Sequence, residues 1–198
     1  MRDILHDLLT WWEAGERVGV GTVVGTFRSA PRPAGAAMMV GPDGSAVGSV
    51  SGGCVEGAVY ETATEVRDGA KPVLTRFGVS DTDAFAVGLT CGGIIDVFHE
   101  RLSREDFPEF GELAASIRDD ERVALATIVA GRPEQVGRHL VIWPERTLGS
   151  LGSERIDHSV SSDARGLLAS GRTATLTYGL DGERMDSGLQ VFVSAFAP

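Results

Sequence analysis

A chain of 198 residues with 42% hydrophobic and 23% charged side chains has the make-up of an ordinary soluble globular protein, long enough for one good core or two small packed units. Its formal net charge of −10 excludes the broad basic face that nucleic acid requires, and no apolar run approaches the ~18 residues that span a bilayer. Two cysteines are too few for a disulfide scaffold and the N-terminal segment lacks the marks of a signal peptide, so the expected location is a reducing cytoplasm.

In chain order, Ile4, Leu5, Leu8, Leu9 and Trp12 recur at helical spacing and predict an opening helix. Val18, Val20, Thr22 and Val24 then alternate as in a strand. The loop "FRSAPRPAG" follows, stiffened by Pro31 and Pro33 and carrying Arg28 and Arg32, whose planar forks suit phosphate or carboxylate. Residues 36–40 and 45–50 flank the turn "GPDG" and predict a hairpin. "SGGC" (51–54) reads as a strand-to-helix turn, with Ser51 as N-cap and Cys54 in the first helical turn. The helix after it buries Val55, Ala58, Val59, Thr62, Ala63 and Val66 and stops at Gly69. Strands at 72–77 and 94–99 close the unit, with "TCGG" (90–93) just before the second.

The pattern then repeats. "ERVGVGTVV" (16–24) faces "ERVALATIV" (121–129), and "GSVSGGCVEGAV" (48–59) faces "GSLGSERIDHSV" (149–160). "GAKPVLTRFG" faces "GRTATLTYG", and "IDVF" faces "LQVF". A second opening helix follows Pro108 with the stripe Phe110, Leu113, Ala114 and Ile117. Two copies are too few for a solenoid. The expected architecture is α+β: a single domain over 1–198 made of pseudo-repeats at 1–100 and 104–198, each of helix, strands and helix, packed around mixed sheets as a pair sharing a sheet or core. No G-x-G-x-x-G fingerprint follows a strand, so a dinucleotide domain is not expected.

The copies differ where chemistry is concentrated. Cys54 faces Arg155 and Gly52-Gly53 faces Ser153-Glu154, while Glu56 faces Asp157 and keeps its carboxylate. Both thiols therefore belong to the first copy, and both lie beside a Gly-Gly pair, where a ligand can approach the backbone closely. A helix start surrounds Cys54 with N–H groups and the positive end of the dipole, which favours a thiolate and makes an anion cradle. A soft thiolate beside such a cradle suits a ligand with a soft metal at one end and phosphate at the other. Each thiol taken alone is equally well read as a small buried residue. Zinc is not expected, because two cysteines without a C-x-x-C pair or clustered histidines give too few ligands. His6, His99, His139 and His158 are scattered, and the three tryptophans read as core or interface.

"FRSAPRPAGAAMMVGPDGSAVGSVSGGCVEGAV" together with "GLTCGGIIDVF" resembles the xanthine dehydrogenase accessory factor family, XdhC/CoxI, over residues 15–100. The second half resembles the remainder of the same N-terminal domain more weakly. The resemblance implies binding of molybdenum cofactor, assistance to its sulfuration by a cysteine desulfurase, and delivery to xanthine dehydrogenase or a related molybdenum hydroxylase. Carried onto this sequence, the implied site is Arg32, Ser51, Gly52, Gly53, Cys54, Glu56, Cys91, Gly92 and Gly93. Cys54 is the candidate molybdenum ligand or, with Cys91, a sulfur relay, while Arg32 and the Gly52-Gly53 amides are candidates for the phosphate. Many family members continue into a Rossmann-like half, and this chain stops about where that half begins.

The leading expectation is a cofactor carrier and maturation factor without turnover of its own. The alternative is a thiol-dependent oxidoreductase or sulfur transferase using Cys54, with Cys91 resolving. A third reading is an interaction module whose glycines serve turns only. A homodimer is compatible with the apolar strands.

Overall fold

The computed structural model describes residues 1–78, 89 and 92–198. They form two compact units, Met1–Pro108 and Glu109–Pro198. In the first, a 3-10 turn (Arg2–Ile4) leads into α1 (Leu5–Glu13), then β1 (Val18–Phe27), β2 (Ala37–Val40), β3 (Ala46–Gly48), α2 (Glu56–Arg67), β4 (Val73–Phe77) and β5 (Ile94–Leu102). The second repeats the order with α3 (Phe110–Arg118), β6 (Val123–Ala130), β7 (His139–Ile142), β8 (Thr147–Gly149), α4 (Glu154–Ala169), β9 (Ala174–Tyr178) and β10 (Leu189–Phe196).

Each unit has its own five-stranded sheet, in the orders β3-β2-β1-β5-β4 and β8-β7-β6-β10-β9. The α+β class and the two similar units are as the sequence implies, but the strands do not form a shared sheet. Every pairing among the described residues is antiparallel rather than mixed. The reason lies in the crossover. The β3-α2-β4 connection does make two strands run the same way, yet it carries the chain from one sheet edge to the other, so β3 and β4 never become neighbours.

Helix α2 packs against β1, β2 and β5, and the spacing is set by glycine. β1 reads V-G-V-G at its start, with every one of those positions buried. A Cβ built on Gly19 would lie 1.9 Å from the Ala63 carbonyl oxygen, and one on Gly21 would lie 2.8 Å from Val59 Cγ1. Helix backbone therefore rests directly on strand backbone. In the second unit the corresponding Ala124 and Ala126 are fully buried in one core with Ile156, Val160, Ala164 and Leu168 of α4. Of the predicted helical stripes, Val55, Val59, Ala63 and Val66 in the first unit and Phe110, Leu113, Ala114 and Ile117 along α3 are buried, while Ala58 and Thr62 are only half-buried. Gly69 ends α2 at φ +123°, a conformation closed to most side chains. Ile4 in the 3-10 turn and Leu8 on α1 are fully buried, Leu5, Leu9 and Trp12 are half-buried, and Trp12 donates its indole N–H to the Phe107 carbonyl at 3.0 Å.

One buried side chain breaks the apolar rule. His99 pairs with Gly21 and Val73 across the sheet and is wholly inaccessible. Neither ring nitrogen makes a well-formed hydrogen bond. The position paired in the same way in the second unit is Val193. Burial pushes the His99 pKa down to about 4, against a smaller opposing pull from the Val73 backbone.

Two outcomes follow from this packing. Gly19→Ala should destabilise the fold by about 1–3 kcal/mol, because α2 must lift off β1; an unchanged urea midpoint would contradict the contact. His99 stays neutral in the folded chain down to about pH 4 but gains a proton in the unfolded chain below the ordinary 6.5, so its folded-state stability falls as pH drops through that window, by roughly 3 kcal/mol in full. His99→Val should therefore flatten the loss of stability between about pH 7 and about pH 5, as read from urea unfolding at both.

Candidate functional site

The chain leaves β3 at Gly48 and enters α2 at Glu56, and the seven residues between hold the first thiol. Ser51 is not the N-cap. The helix starts later than the sequence suggests, with Val55 at the cap position and its own side chain making no capping bond. Cys54 consequently lies ahead of the helix rather than in its first turn. The physical reason is the backbone of Gly52 and Gly53, at φ +77° and +124°, which cannot continue a right-handed helix.

What holds this loop is the carboxylate of Glu56, reaching back from the first helical residue. Its Oε1 accepts from the Ser49 hydroxyl at 2.7 Å and from the backbone N–H groups of Val50 at 3.2 Å, Ser51 at 2.9 Å and Gly52 at 3.0 Å. Its Oε2 accepts from Gly53 N–H at 2.8 Å and from the Ser51 hydroxyl. Ser51, nearly buried, accepts in turn from Val55 N–H at 3.1 Å. The Gly52 and Gly53 amides, expected to face a phosphate, are thus committed to the chain's own carboxylate. Partial burial works against ionising Glu56 and is the largest single influence, but the bonds from Ser51, Ser49 and the backbone together outweigh it and hold the carboxyl down at about 2.

Three segments share one apolar cluster. Cys54 is half-buried and packs on an apolar cluster that includes Val23, Met38, Val55 and Ile95. Ala30 of the proline-arginine loop packs on the same cluster, and Leu89 belongs to it. A Cβ on Gly93 would lie 2.7 Å from the Ser29 carbonyl oxygen, so the second glycine of "TCGG" is required by its close approach to the proline-arginine loop. Gly52, Gly53 and Gly92 are the opposite case: a Cβ on any of them would meet nothing within 4 Å. Cys91 lies outside the described residues, as does the expectation that the two sulfurs share a pocket. Arg32 is turned toward the N-terminal segment, where its Nη2 donates to Asp3 at 2.6 Å while its Nε is buried without a partner. Among the described residues no three His, Cys, Asp or Glu side chains are grouped to hold a metal ion.

A separate groove of about 410 Å³ lies at the other end of α2, lined by Gly15, Glu16, Arg17, Pro42, Arg67 and Asp68. Arg67 is tied there to Asp68 and to the Gly41 carbonyl, and the groove holds no thiol. Sequence reasoning placed Glu56 at the site but missed what it does. The signal was present: Ser49 and Glu56 recur as Ser150 and Asp157, and the Ser150 hydroxyl and Leu151 N–H both donate to Asp157 at 2.7 Å.

Glu56→Ala should cost about 2 kcal/mol, because several buried or half-buried donors lose a charged acceptor. The carboxyl is ionised in the folded chain to about pH 2 but only to the ordinary 4.5 when unfolded. Its contribution is therefore complete above 4.5 and fades as pH falls toward 2. Acid titration followed by circular dichroism should show a shallower limb in that window for the variant.

The profile of the XdhC and CoxI family matches residues 11–78 and 116–179, one block in each unit. A protein of Bacillus subtilis described as a probable xanthine dehydrogenase subunit is 34% identical over 95 residues, 47% of this chain and 29% of its own length. The molybdenum cofactor insertion chaperone PaoD of Escherichia coli is 35% identical over 101 residues, 51% of this chain and 31% of its own. The crystal structure of a xanthine dehydrogenase from Bacillus halodurans superposes with a TM-score of 0.68 at 18% identity, covering 98% of this chain and 52% of that one, which is a likeness of fold. The chain thus spans about a third of these curated relatives and about half of the solved one. With the family profile matching a block in each unit, the chain belongs to the XdhC and CoxI family.

Proposed function

We propose that this chain binds the molybdenum cofactor beside Cys54 and serves as an insertion chaperone for a xanthine dehydrogenase-type molybdenum hydroxylase. The observation that carries the reading is the setting of Cys54: a half-buried sulfur on an apolar cluster shared with the proline-arginine loop and Leu89, next in sequence to glycines whose side-chain directions are open. Membership of the family and the likeness to PaoD support it.

The residues present fit such a cargo in part. Open space at Gly52, Gly53 and Gly92 admits a flat ring system against backbone. Cys54 offers one soft donor, which suits a metal that arrives with its other ligands already in place. The phosphate does not fit the Gly52-Gly53 amides, which Glu56 occupies. Arg32, with a buried Nε lacking a partner, is the cation we assign to it instead. The bound cargo supplies the redox and oxygen-transfer chemistry of the recipient enzyme, whereas this chain's residues hold, orient and release it. A reducing cytoplasm keeps Cys54 competent, a cysteine desulfurase is the sulfur-donating partner, and the hydroxylase is the recipient. No helix among the described residues is long and apolar enough to cross a membrane.

Anaerobic incubation with molybdenum cofactor, gel filtration, and assay of metal and oxidised pterin in the protein peak test the reading. Wild type should retain cofactor and Cys54→Ala should lose most of it. Equal retention by the two would remove Cys54 from the site, and no retention by wild type would reject the function.

A further inference from the structure

We infer that Glu56 is a positioning residue and not a ligand: its carboxylate keeps residues 53–55 out of α2 and so fixes where the Cys54 sulfur stands. This rests on the proposed cofactor role for what the sulfur does, but not for how it is held.

The second unit supplies the natural comparison. Asp157 stands as far beyond Gly149 as Glu56 stands beyond Gly48, and both glycines lie at nearly the same positive φ, +89° and +87°. Aspartate is one methylene shorter. It receives the Ser150 hydroxyl and the Leu151 N–H. Ser153 there is extended at φ −150° and caps the helix, accepting from Ile156 N–H, and α4 begins at Glu154. Arg155, the counterpart of Cys54, is therefore inside the first turn with its side chain 74% exposed.

In the first unit the longer acid reaches three amides further, to Ser51, Gly52 and Gly53. The positive φ values of those glycines and the grip of the carboxylate are two halves of one device. Together they hold in loop form a stretch that is helical in the other unit: α4 begins at Glu154, the counterpart of Gly53, whereas α2 begins only at Glu56. The result is a thiol kept half-buried against the apolar cluster instead of exposed on a helix.

The test uses Glu56→Gln, Glu56→Asp and the double variant Gly52→Ser/Gly53→Glu in the full chain, with Val66→Ala at the far end of α2 as a control for lost stability. Three quantities are read: Cα chemical shifts of residues 53–55, the rate at which iodoacetamide alkylates Cys54 (followed by peptide mass), and retention of molybdenum cofactor. All three loop variants should show helical shifts at 53–55 and alkylation faster by roughly tenfold, since burial gates thiol access. They should also lose cofactor, while Val66→Ala keeps wild-type values throughout. Loop-like shifts with alkylation within about twofold of wild type in all three variants would overturn the inference. So would full cofactor retention by variants whose shifts have become helical, which would leave the proposed function standing. Wild type retaining no cofactor would reject that function, and the shifts and alkylation rates would still decide the role of Glu56 in placing the thiol.

Discussion

A single carboxylate, that of Glu56, accepts from six donors spread over Ser49 to Gly53, and the local structure of the thiol loop depends on it. Backbone amides left without acceptors next to an apolar cluster would be costly, and here one side chain satisfies four of them together with two hydroxyls. Because the acceptor is charged, each bond is stronger than a neutral one. The arrangement inverts ordinary N-capping, in which a residue before the helix reaches forward. At α2 the first helical residue reaches back, and the chain ahead of it is shaped around the acid.

The two units have the same strand order and the same helix seat, and they diverge in what the seat supports. Glycines beneath α2 and alanines beneath α4 perform the same steric task, allowing close contact between helix and strand. The loop in front of each helix retains serine and an acid, yet in one unit it stays open around a cysteine and in the other it winds into helix. A scaffold built twice can differ in its loops, because the backbone pairings that define each sheet do not involve the loop residues that distinguish them.

Most of the architecture was legible from periodicity. The stripes on α1, α2 and α3, the alternation in β1 and β6, the turn at Asp43 and the stop at Gly69 rest on local rules, and tertiary packing agrees with them. Strand direction was less legible, since a strand-helix-strand crossover suggests parallel neighbours and only the sheet order shows that the two strands sit on opposite edges. At the site, the glycines and Cys54 stood out by composition, but the partner of their amides did not. An acid four residues after "GGC" begins carries no sign in the sequence of the direction in which it reaches, and only the folded loop shows it. Arg32 was marked as an anion contact on residue type, whereas Asp3, distant in sequence, takes one of its nitrogens.

The seat of Ala63 on Gly19 has a mechanical corollary. With main chain lodged against main chain at mid-length, α2 is pinned along its own axis and behaves as a rod clamped at the centre. Any gain or loss of residues at its leading end must then appear as travel of the chain in front. Helix advances about 1.5 Å per residue and fully extended chain about 3.3 Å, so recruiting three residues of this bent loop shortens that stretch by at most roughly 5 Å. A conformational exchange confined to one turn would thus draw the sulfur across a distance comparable to the thickness of an aromatic ring system plus its contact layer, with the sheet beneath it unmoved.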